Sequence, residues 1–164
     1  VAIAQSTKKP KVLVIDADLR RGRLAKYLGV DQKVGLTEVL MGKVSATDAL
    51  FHIDIENLAF IASGAVPHNP VELLDSEVLK DFLGSMRTKF DYILVDTPHI
   101  ISVTDSGIVG SMSDGVLMVV QAGRTQRGII ERATELLEQT HSKIIGHVLT
   151  NIEYHLPEYI YRYL

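Results

Sequence analysis

Two apolar runs in this sequence stop at an aspartate. Val12-Leu13-Val14-Ile15 leads into Asp16-Ala17-Asp18, and Tyr92-Ile93-Leu94-Val95 leads into Asp96-Thr97-Pro98. Residues two apart on an extended chain point to the same side, so Asp16, Asp18 and Arg20 can face one place. Carboxylates gathered there repel one another unless a hard cation such as Mg²⁺ joins them, and Mg²⁺ usually arrives with phosphates. A single aspartate after a strand more often caps a helix or opens a turn. That blander reading suits Asp105 and Asp114, each beside a turn. It suits Asp16 and Asp96 less well, because each ends an uninterrupted apolar run and Thr97-Pro98 forces the chain out of the sheet.

Other chemistries find little support. The six histidines are scattered with no i,i+4 pair, so no histidine metal cluster is expected. Neither a Gly-x-Ser-x-Gly elbow nor a Gly-x-Gly-x-x-Gly loop occurs. Cysteine is absent, which excludes thiol catalysis, disulfides and cysteine-held metals. Arg20, Arg21 and Arg23 form a small basic patch that serves phosphate or a solvated helix face equally well. Tyr154, Tyr159, Tyr161 and Tyr163 crowd the last eleven residues. Alternating tyrosines suit an edge strand. A terminal segment with so little apolar company is more readily displayed, and displayed tyrosines suit modification or partner contact.

The elements that must position these residues follow from periodicity. Short apolar runs at 12–15, 58–62, 92–95, 115–120 and 143–150 read as strands. Helices are expected at 23–28, 36–41, from Ser45, from Asn69 through Met86, at 104–112 and at 124–141. Asn69, Pro70 and Glu72 sit where an N-cap, a first helical proline and a capping-box acid belong. Strands alternating with helices predict an α/β fold with a mostly parallel sheet flanked by helices on both faces. With 164 residues, 46% hydrophobic and 23% charged, the chain can bury a core of its own, so disordered and fibrous classes are out. A net charge of -3 argues against a nucleic-acid partner. No apolar run reaches the roughly 18–20 residues of a membrane span, and the N-terminus lacks a secretion-signal layout. The expected organisation is one domain over residues 1–153 and a tyrosine-rich tail over 154–164.

The run Val12–Arg20, VLVIDADLR, resembles the second acidic motif (Walker A′) of the bacterial tyrosine kinases, or BY-kinases. These are P-loop proteins of the same broad group as the MinD and ParA ATPases. ILVDTP at Ile93–Pro98 resembles their Walker B motif, and GAVPHNPVELLDS at Gly64–Ser76 their segment after the third strand. VTDSGIVGSMSDGVLMVVQAGRT and IIGHVLTN continue the likeness in order, so it covers nearly the whole chain. The tail is similar to the tyrosine cluster that these kinases phosphorylate on one another.

The resemblance implies an ATP-dependent protein-tyrosine autokinase, cytoplasmic and at the inner face of the bacterial membrane, that regulates exopolysaccharide or capsule synthesis and export. It implies Mg²⁺ held by Asp16 and Asp96, Asp18 as base or orienter for the incoming tyrosine, and nucleotide contacts from Arg20 and Asn151. The tail tyrosines would be the phosphoacceptors, and the partners would be further copies of the chain and a membrane-anchored activator or polysaccharide co-polymerase. One departure stands out: the family's Gly-x-x-x-x-Gly-Lys-[Ser/Thr] loop does not occur. The one Gly-Lys pair, Gly42-Lys43, is followed by Val44. Val1–Lys9 resembles the end of the helix after that loop, so the chain is expected to begin just past it and to turn over little ATP as it stands. Three competitors remain: a MinD/ParA-like partner-switching ATPase, which would lack the tyrosine tail; a non-catalytic regulator of the same fold; and a phosphoacceptor receiver. The 80 positions between Asp16 and Asp96 are too many for a receiver's third strand.

Overall fold

The computed structural model describes residues 1–31 and 33–152. The chain divides into two units, Val1–Val109 and Gly110–Leu164. In the first, β1 (Val12–Asp16), β2 (Phe51–His52), β3 (Leu58–Ile61) and β4 (Tyr92–Asp96) form one sheet in the order β2-β3-β1-β4. β1 runs parallel to both β3 and β4, and β2 pairs antiparallel with β3. β1 is therefore interior to the sheet. That placement explains its near-continuous apolar run, since strands covered on both faces have no solvent side to keep polar.

Side chains of one face of this sheet gather two clusters. Val12 and Leu58 meet Ala4, with Val14, Ile53 and Ile55 around them. Phe60, Ala62 and Val30 meet Leu24, Ala25 and Leu28, which seats α1 (Leu24–Tyr27) over β1 and β3. α5 (Glu77–Arg87) buries Leu79, Phe82 and Met86 and packs on β4 and on α2 (Leu36–Leu40). Each such side chain stabilises the fold by about 1.5–3 kcal/mol when fully buried. α3 (Ala46–Ala49) opens on Ser45, whose hydroxyl accepts the Asp48 N–H at 3.2 Å.

α6 (Asp105–Ser111) runs from the first unit into the second. In the second unit β5 (Val116–Gln121), α7 (Arg127–Gln139) and β6 (Ile144–Thr150) make a strand–helix–strand unit with a parallel pair, bulged between Val116 and Leu117. Met118 and Val120 of β5 and Ala133 and Leu137 of α7 are buried.

The sequence expectations hold for the type and order of the expected elements, and four details differ. The helix expected from Asn69 through Met86 is two helices, α4 (Pro70–Leu74) and α5. Ser76 is extended between them, its hydroxyl donating to the Leu73 carbonyl at 2.7 Å and accepting the Leu79 N–H at 3.3 Å. A serine so placed caps a new helix and ends the old one. Asn69 makes no side-chain cap; its amide donates to Glu72 Oε2 at 2.8 Å instead. The strands expected to be buried at 92–95 and 115–120 each present an open side, with Tyr92, Leu94, Leu117 and Val119 exposed. Among the described residues β4 has a strand neighbour only in β1, and β5 only in β6. The two-residue β2 carries no periodicity of its own and was not expected.

Candidate active site

In open α/β sheets, ligands bind beyond the carboxyl ends of the strands. β1 and β4 run in register so that Asp16 stands opposite Asp96, on strands about 4.8 Å apart. Paired residues of a parallel ladder share a face, so both carboxylates rise from the same side of the sheet. The Ala17 N–H donates to the Asp96 carbonyl at 2.8 Å and extends the pairing past the strand ends.

The two aspartates live in different surroundings. Asp16 is 0% exposed. Its Oδ1 accepts the Asp18 N–H at 3.1 Å, and its Oδ2 accepts the Leu24 N–H at 3.0 Å. Burial raises its pKa above the usual 3.8, those two amides pull it back down, and the charges of Asp96 and Asp18 raise it further. Asp96 is exposed by surface area. The protein around it still removes enough water to raise its pKa, with the Asp18 charge adding to the effect. For access to a ligand the open surface decides, and Asp96 is the accessible carboxylate.

Asp18 organises the turn after β1. Its Oδ1 accepts the N–H groups of Arg20 at 3.2 Å and Arg21 at 3.1 Å, and its carbonyl accepts those of Arg21 and Gly22. Gly22 closes the turn at φ +53°, and a Cβ there would run into the Ser63 hydroxyl just after β3. That loop is in turn fixed by α2. The Leu36 and Thr37 N–H groups donate to the carbonyls of Ala62 and Ser63, and Glu38 accepts from the N–H groups of Gly35 and Ala65. Thr37 Oγ1 is buried without a partner.

Arg20 donates Nε to Asp105 Oδ2 at 2.9 Å and Nη2 to Asp105 Oδ1 at 3.1 Å, a bidentate pair with a carboxylate that is 0% exposed. The next residue, Ser106, donates its hydroxyl to the Pro98 carbonyl. Neither reading of the basic patch anticipates this pairing, and Asp105, read from sequence as a turn residue, is a buried ion-pair partner. The Asp105-Ser106 start of a helix was the one available signal, and in sequence it looks like an ordinary cap. Of the other expected residues, Asn151 follows β6 in the second unit, exposed and at φ +56°. Tyr154, Tyr159, Tyr161 and Tyr163 lie outside the described residues.

The structure brings Asp16, Asp18 and Asp96 to one strand end. Among the described residues no three histidine or carboxylate side chains gather closely enough to hold a metal ion alone. Mg²⁺ is commonly held by one or two carboxylates together with substrate phosphates, and the oxygen donors here fit that mode. Asp96 offers an open carboxylate; each Asp16 oxygen accepts one amide and keeps a second lone pair.

The sequence profile of a family described as "AAA domain" matches residues 1–150. The tyrosine-protein kinase Ptk of Acinetobacter johnsonii is 41% identical over 152 residues, 92% of this chain and 20% of its own length. The kinase domain of the Escherichia coli tyrosine kinase Etk superposes with a TM-score of 0.85 at 31% identity, over 95% of this chain and 62% of that one. The septum site-determining protein MinD of Pyrococcus horikoshii, solved with Mg-ADP, superposes with a TM-score of 0.70 at 25% identity, over 92% of this chain and 63% of that one. The chain spans from about a fifth to about two thirds of the length of the curated relatives it matches. Sequence and fold thus agree, and the chain belongs to the AAA-domain family, among the bacterial tyrosine kinases.

Proposed function

We propose that this chain forms part of an ATP-dependent protein-tyrosine autokinase that regulates bacterial exopolysaccharide or capsule synthesis and export. The observation that carries the reading is the in-register Asp16–Asp96 pair with Asp18 two residues beyond the first strand. Desolvation and mutual repulsion make this cluster costly while it is unneutralised. A magnesium nucleotide would neutralise it, and bound Mg²⁺ would supply the positive charge that phosphoryl transfer needs.

The chain's own residues divide the work. Asp96 holds the cation from the open side, and Asp16 backs it from a position fixed by two amides. Asp18 accepts the proton of the incoming tyrosine hydroxyl, whose ordinary pKa near 10 makes it a poor nucleophile at neutral pH. The tyrosine oxygen then bonds to the γ-phosphorus as the bond to ADP breaks. After Asp105 takes two of the five Arg20 N–H donors, three remain for the nucleotide. Asn151 serves the adenine, and Tyr154, Tyr159, Tyr161 and Tyr163 of a neighbouring copy are the acceptors. A membrane-anchored activator, or a polysaccharide co-polymerase, completes the assembly at the cytoplasmic face of the membrane; among the described residues no helix is long and apolar enough to cross one.

The sequence holds no Gly-x-x-x-x-Gly-Lys-[Ser/Thr] run, so these residues supply no backbone cradle for the β- and γ-phosphates. The test is therefore run on the whole protein its gene encodes, with phosphotyrosine mapped by mass spectrometry after incubation with Mg²⁺-ATP. Phosphate on the tail tyrosines, lost in Asp18→Asn, is the expected result. A tail that stays unmodified in the parent overturns the kinase reading.

A further inference from the structure

The two acidic loops are joined by more than the β1–β4 ladder. The loop after β1 ends in Arg20, and both oxygens of the fully buried Asp105 engage its guanidinium, at 2.9 Å and 3.1 Å. The loop after β4 passes through Pro98, whose carbonyl takes the Ser106 hydroxyl. Asp105 and Ser106 are the first two residues of α6, so one helix turn grips both loops at once. A bidentate arginine–carboxylate pair fixes orientation as well as distance. The backbone N–H of the same arginine donates to Asp18 Oδ1 at 3.2 Å, so the residue whose guanidinium is held by Asp105 also meets the Asp18 carboxylate through its main chain.

We propose that Asp105 and Ser106 are positioning residues: together they form a bracket that sets the Asp18 loop and the Asp96 loop in fixed relation, with Arg20 as the strut between Asp105 and Asp18. This rests on the reading of Asp16, Asp18 and Asp96 as the cation site. The bracket explains a feature the site itself does not require, a wholly buried aspartate 85 positions away from the arginine it pairs with. A charge so buried is retained only with its partner in place. Arg20 is therefore held by the protein even before any phosphate arrives.

The experiment uses the whole protein its gene encodes and two readouts, Mn²⁺ affinity by electron paramagnetic resonance and amide hydrogen exchange at Arg21, Gly22 and Leu24. Those three N–H groups donate to oxygens of Asp18 and Asp16, so their exchange reports the loop directly. Asp105→Asn, nearly isosteric, is expected to weaken Mn²⁺ binding about tenfold, the scale seen when a residue supporting a metal ligand is removed. It is also expected to speed exchange at Arg21 and Gly22. Ser106→Ala should give a smaller change of the same sign, and Arg20→Lys should fall between Arg20→Met and the parent because it keeps the charge without the fork. A merely structural pair would lower the melting temperature and leave Mn²⁺ affinity alone. Affinity within twofold of the parent in Asp105→Asn and Arg20→Met, with unchanged exchange, overturns the bracket. Should Asp105→Asn fail to fold, Arg20→Lys and Ser106→Ala carry the same test. If the parent itself takes no Mn²⁺, the cation reading fails, and the exchange data alone decide the bracket.

Discussion

The loops after β1 and β4 start from the same sequence pattern, an apolar strand ending in aspartate, and finish as opposites. Asp16 is closed off from solvent with each oxygen on a backbone amide; Asp96 is open, with its carboxylate free for a ligand. The difference follows what covers each strand. α1 packs over β1, and the N–H of its first residue, Leu24, donates to Asp16, whereas the face of β4 that carries Tyr92, Leu94 and Asp96 is open. Asp16 is drawn into the framework, and Asp96 is left to meet the ligand. A cation site built from such a pair has one member that sets geometry and one that gives access.

The two aspartates should differ most in what their loss does to stability. Asp16→Ala strands the half-buried N–H groups of Asp18 and Leu24 and is expected to cost about 3 kcal/mol in urea unfolding. Asp96→Ala should change stability by no more than about 0.5 kcal/mol, as surface substitutions do. Equal costs would show that the two carboxylates do not differ in role. Next in size is Gly22→Ala, which places a Cβ at positive φ against Ser63 and is expected to cost about 1–2 kcal/mol. Adding Ser63→Ala removes the hydroxyl in the way and should recover part of that loss. No recovery would mean that backbone strain alone accounts for it.

The smallest effect sharpens the electrostatic side. Asp16 and Asp96 both have folded-state pKa values above the ordinary 3.8, so between 3.8 and those raised values the native state binds more protons than the unfolded chain. Stability from this source is fully present below pH 3.8 and is lost as pH rises through the raised values. Without divalent ions, Asp96→Asn should lessen that decline and raise the melting temperature at neutral pH by about 1–2 °C, small because the group is solvent-screened. Calorimetric scans over that pH range check it, and a lowered melting temperature would mean that the Asp96 charge is stabilising.

The strand-ending aspartates were legible because chemistry and topology coincide there: an apolar run that stops at an acid announces both the strand and the site. Element type was readable nearly everywhere for the same reason of periodicity. The break at Ser76 was not, because the apolar stripe of Leu74, Leu79, Phe82 and Met86 continues across it while a hydroxyl cap acts within one residue. The exposure of Tyr92 and Leu94 was hidden for a different reason, since it depends on which face of the sheet is covered, a tertiary fact that composition does not record. The pairing of Arg20 with Asp105 was least visible of all. It depends on two loops meeting at the start of α6, a long-range fact with no local pattern.

The most direct test of the central claim is Mg²⁺-dependent ATP binding by calorimetry, on the whole protein its gene encodes and on its Asp96→Asn form. ATP is expected to bind the parent much more tightly with Mg²⁺ than without, and Asp96→Asn to remove most of that gain while its fold stays intact. Binding that ignores Mg²⁺, or a variant that keeps the full gain, would contradict a site in which Asp96 holds the cation.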